Sequence, residues 1–103
     1  MNERERAALA IGFLESCQDP EFLQELVRRV APRARKMSTE LAQKSGEESV
    51  PAPADIDPAA GGSREDADAA VDLTTDFAVL QAVARAAGRR LEYLRKQNGA
   101  SLS

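Results

Sequence analysis

One pattern limits this chain more than any other. Leu73, Phe77, Leu80, Ala84, Ala87, Leu91 and Leu94 follow one another at intervals of 4-3-4-3-4-3. Apolar residues at that spacing form a continuous stripe along an α-helix, the heptad seam of coiled coils and helical bundles. A strand would divide the set between its two faces, so the pattern points to a helix here. Val79, Val83 and Ala86 make an adjacent row, and the wider face suits a bundle better than a two-stranded coil. Ser63-Arg64-Glu65-Asp66 has the form of a capping box. The expectation is one long amphipathic helix over 64–97, with 98–103 as a disordered tail.

The N-terminal part reads as three shorter helical pieces. Asn2, with Glu5 three positions on, makes an N-cap for a helix with Ala7, Ala10, Ile11 and Leu14 on one face. Asp19-Pro20 is a second start, with a carboxylate at the cap and proline in the first turn. Phe22, Leu23, Leu26, Val27 and Val30 then share a face, and Pro32 ends or kinks the helix. A third piece carries Ala34, Met37 and Leu41 and stops at Ser45-Gly46. Between the halves lies 46–63, with Val50-Pro51-Ala52-Pro53-Ala54, Asp57-Pro58 and Gly61-Gly62. Proline removes donors and glycine raises chain entropy, so this stretch reads as a flexible linker.

These elements give an all-α chain: a small helical bundle or hairpin, with short N-terminal helices (1–45) packed on a long C-terminal one. Leu73, Phe77, Leu80, Leu91 and Leu94 are expected on one side of the core. Phe13, Leu14, Phe22, Leu26, Val27 and Val30 are expected on the other. Such a core is thin. Of the 43% hydrophobic residues, 19 are alanine, and the 103-residue chain has four aromatics and no tryptophan. A chain of this size buries only about two-thirds of its unfolded surface, which favours a further partner for the seam.

The chemistry-bearing residue types are sparse. There is no histidine, the commonest general base and metal ligand. Cys17 is alone, so no disulfide or Cys-x-x-Cys site exists, and its apolar neighbours mark a structural thiol. Gly61-Gly62-Ser63 is a turn with Arg64 as its sole base, too little for a phosphate cradle. Asp68, Asp72 and Asp76 share a helical face, but carboxylates near a helix start stabilise that end without a metal. No enzyme, no cofactor and no metal site is expected.

Charge is unevenly spread. From Gly46 to Asp76 nine acids face one arginine, a sum of −8, which leaves +5 for the remainder of a chain of net −3. Arg28, Arg29, Arg33, Arg35 and Lys36 fall within nine residues, and Arg85, Arg89, Arg90, Arg95 and Lys96 within twelve. Such clusters contact phosphates in nucleic-acid-binding modules. Against that stands a pI near 5.0, and arginines at helix ends also cover apolar surface with their stems.

The leading expectation is a non-enzymatic helical protein–protein interaction or assembly protein of the adaptor kind. It would pair with a second copy or another helical protein through Leu73, Phe77, Leu80, Ala84, Ala87, Gly88, Leu91 and Leu94. Ala84, Ala87 and Gly88 would mark the closest approach. The alternative is a small DNA-binding regulator using Arg28, Arg29, Arg33, Arg35 and Lys36. The mixed-charge start Met1–Arg6 is no secretory signal, and the apolar run Ala7–Leu14 is too short to span a bilayer. A cytoplasmic location is expected, and the arginine and alanine excess suggests a GC-rich bacterial genome.

Overall fold

The computed structural model describes residues 2–45 and 52–102 and is all-helical there. Its four helices are α1 (Glu3–Glu15), α2 (Pro20–Ser45), α3 (Arg64–Asp72) and α4 (Phe77–Leu102). Three starts follow the sequence signals. The Asn2 side chain accepts from the Glu5 N–H at 2.8 Å, while Glu5 reaches back to the Asn2 N–H. Asp19 Oδ1 accepts from the N–H groups of Glu21 and Phe22. Asp66 accepts from the backbone N–H and hydroxyl of Ser63.

The helices form a bundle in which α1 and α4 run one way and α2 and α3 the other. Thr75, just before α4, meets Glu3 at the start of α1, and Arg90 far along α4 meets Cys17 beyond the end of α1. Arg64 at the start of α3 pairs with Asp19 at the start of α2. Leu14, Leu23, Leu26, Val71, Val79, Leu80 and Val83 form the fully buried centre, to which all four helices contribute. The core therefore closes within one chain.

Two expected boundaries are corrected. Pro32 does not end its helix: α2 continues to Ser45 as one element. Proline leaves the carbonyl four residues earlier without a donor, and Pro32 is exposed, so water can serve that group. The expected helix over 64–97 is instead two helices. Leu73 N–H makes the last α3 bond, to Ala69 O. Thr74 turns inward and is buried, and Asp76 caps a new helix by accepting from the Ala78 N–H at 3.0 Å. Leu73 consequently lies outside the core at 61% exposure, and Val27 also lies on the surface. The heptad phase does run unbroken through Gly88, and α4 extends over 98–102, where a tail was expected.

The linker differs too. Residues 46–51 of it lie outside the described residues, but 52–63 cross α1 and α4 as a strap. Ala54 N–H donates to Ala78 O and Ala59 N–H to Ala8 O, each at 3.0 Å. Ala54 and Ile56 pack against the core. This contact depends on two glycines. A Cβ on Gly12 would overlap the Ala59 carbonyl, and one on Gly62 would overlap the Leu9 carbonyl. Gly12→Ala should therefore lower stability by about 1–3 kcal/mol in urea unfolding despite alanine's better helix propensity. Unchanged stability would mean the strap does not rest on α1.

Candidate interaction surface

The bundle accounts for most of the seam internally. Phe77, Leu80, Ala87 and Leu91 are buried in the monomer. Ala84 and Leu94 are half-buried and packed against the core. Leu73 is at the α3–α4 corner, away from the rest of the row. Gly88 alone borders open space: nothing lies within 4 Å of the position a Cβ would take. The structure thus keeps the seam on one helix from Phe77 to Leu94 and leaves Ala84, Gly88 and Leu94 of that stretch partly accessible.

The first basic cluster is divided in the same way. Arg29 and Arg33 belong to the edge of α2 that holds α3. Arg29 donates Nε and Nη2 to the two oxygens of Asp72, the latter at 2.6 Å, and Nη1 to Asp68 at 3.0 Å. The hydrogen bond to Asp72 raises the Arg29 pKa above its ordinary value; burial opposes the rise, and Asp68 adds to it. Arg33 donates to the carbonyls of Val71 and Thr74, groups that a helix end leaves without partners. Arg28, Arg35 and Lys36 are exposed.

The acidic positions on α3 and α4 have protein partners as well. Asp68 and Asp72 serve Arg29, and Asp76 caps α4. Among the described residues no group of three histidine, cysteine or acidic side chains is arranged to hold a metal ion. At the glycine turn, Arg64 pairs with Asp19 and lies 4.4 Å from the centroid of the Phe22 ring. In the second basic cluster, Arg90 donates to Cys17 O and covers Tyr93, and Lys96 approaches Glu92 at 3.5 Å. Arg85, Arg89 and Arg95 are exposed.

Two residues of functional interest escaped the sequence reading. Glu3 accepts from both the N–H and hydroxyl of Thr75 at 2.8 and 2.9 Å, fixing the α3–α4 corner against α1. Gly12 seats the strap. A partner 72 residues away leaves no local periodicity to detect. The available signal at the corner was Thr74-Thr75-Asp76 itself, a cluster of capping residues inside an apolar run.

No protein-family model matches the chain, and neither a curated protein nor a solved structure does. Among the described residues, no helix is long and apolar enough to cross a membrane.

The paired arginines make a definite stability prediction. Arg29→Met should lower stability by about 1 kcal/mol, the scale of a partly exposed bidentate pair. A raised pKa keeps this contribution in place below the ordinary guanidinium value and removes it only as pH rises through the raised one. The loss should hence be the same at about pH 7 and pH 10. A loss that appeared only at one of those values would contradict the assignment. Arg33→Ala should cost more, about 1–3 kcal/mol, by leaving two carbonyls without their donor.

Proposed function

We propose that this chain is a non-enzymatic helical interaction or assembly protein that receives a partner helix along the Ala84–Gly88 edge of α4. The observation that carries this is Gly88. A glycine inside a helix costs about 1 kcal/mol relative to alanine. Gly12 and Gly62 each permit a close contact within the chain, and Gly61 has φ of +87°, which suits glycine. Gly88 has neither justification, since a methyl group there would meet nothing. A helix arriving from outside supplies one, because small residues let two backbones approach closely.

A second copy of the chain and a different helical protein are both partners of the right kind. A small DNA-binding regulator is a second reading, supported by the exposure of Arg28, Arg35 and Lys36. It loses Arg29 and Arg33, which are engaged with α3. Three phosphate contacts would give a log–log salt slope of only about −3.

Gly88→Ala should raise the stability of the isolated chain by about 0.5–1 kcal/mol in urea unfolding. A decrease would give Gly88 an internal role and remove the support for the docking edge. Light scattering at tens of micromolar then distinguishes the partners. A mass of twice 11.1 kDa that reverts to the monomer in Gly88→Leu means self-association, and a monomer in both excludes a second copy as the partner.

A further inference from the structure

We infer that the strap over 52–63 is a lid, opening as one unit from an intact four-helix core and uncovering the groove between α1 and α4. The inference does not depend on the Ala84–Gly88 edge. It comes from the difference between what holds the strap and what holds the helices.

Among the described residues, every buried one lies on a helix except Cys17 and Thr74, and none belongs to 52–63. The strap offers the core only Ala54 and Ile56, both half-buried. Among the described residues its backbone is tied to the helices at two points, Ala54 N–H to Ala78 O and Ala59 N–H to Ala8 O. Pro53 and Pro58 have no N–H to add. The helices meanwhile pack directly on one another, α1 against α3 and α4, and α2 against α4. Lifting the strap therefore takes no side chain out of the centre.

The strap is nevertheless closely seated. Ala54 meets the first turn of α4, and 59–62 lie on α1 with no space for a Cβ at Gly12 or Gly62. A backbone resting on a backbone cannot slide by degrees, because close packing gives it one fitting position. Pro58 stiffens the short piece between the two attachments, so they are released together. Proline also restricts the released chain, which lowers the entropy gained on opening and favours reclosure. Few contacts on a stiff segment make a state that opens below the cost of global unfolding and closes again.

The closed strap hides a surface of definite character. Ile11 of α1 and Ala82 of α4 are buried and line the cleft that Ala54, Ile56 and the two prolines cover. Arg85 and Arg89 edge the same cleft, together with Glu15 of α1 and Asp55 of the strap. Opening uncovers the Ile11–Ala82 floor and takes Asp55 away from the two arginines. An apolar floor beside a basic edge is thus present only in the open state.

The test is native-state amide exchange on the full chain, followed residue by residue by NMR in low urea. Ala54 and Ala59 should exchange at matched protection, at least about 100-fold below that of Leu80 and Val83. Gly12→Ala, which disturbs the α1 seat, should speed Ala54 at the α4 attachment as much as Ala59, by at least about tenfold. Ile56→Ser loosens the strap without altering a helix and should give the same pattern, with helical circular dichroism retained.

Protection of Ala54 and Ala59 equal to that of Leu80 would overturn the inference, since the strap would then open only with the whole molecule. Exchange of both amides at the rate of an unstructured peptide would also overturn it, because the lid would never close. Two further results count against it: separate responses of Ala54 and Ala59 to Ile56→Ser, or loss of helix in that variant.

Discussion

The turn at Leu73–Asp76 determines how the rest of this molecule can pack. It is held from two directions: Arg33 of α2 binds the carbonyls of Val71 and Thr74, and Glu3 of α1 binds Thr75. A straight helix over 64–97 would place its seam along a single line and leave much of it uncovered. Folding back at the corner lets α3 and α4 meet α1 and α2 from different sides. Phe77, Leu80, Ala87 and Leu91 then find partners in their own chain. The scarcity of large side chains is met by packing all four helices of the chain around one centre.

The strap depends on this arrangement and supports it. It must travel from the end of α2 back to the start of α3, along the outside of α1 and α4. Glycine at 12 and 62 brings its backbone against α1 with no side chain between, and two backbone hydrogen bonds fix it at Ala8 and Ala78. At Gly12 and Gly62 smallness is used up internally; at Gly88 it is left facing outward.

Local signals were legible in the sequence. The caps at Asn2, Asp19 and Ser63 are formed by residues two or three apart, and the apolar phase of α4 survives Gly88 because seam and helix share one period. What was hidden depends on distant partners. Pro32 signals a stop or a kink, yet α2 continues through it, and its exposed position makes the missing hydrogen bond tolerable. Thr74-Thr75-Asp76 was read through because the heptad spacing continued across it, although capping side chains had a competing use there. Composition made 46–63 look like a linker, since proline and glycine weaken regular structure without preventing an extended segment from docking on a preformed groove. Of the seam residues, Ala84, Gly88 and Leu94 remain partly accessible and Leu73 is exposed at the corner, while Phe77, Leu80, Ala87 and Leu91 are buried.

The central claim is that the seam from Phe77 to Leu91 is closed within a single chain. Amide hydrogen exchange at submicromolar concentration, with sedimentation confirming a monomer, tests it most directly. The account predicts that amides from Leu80 to Leu91 are among the slowest in the molecule, exchanging only with global unfolding. Exchange there as fast as in an isolated helix, with protection returning only at concentrations where the chain associates, would contradict it.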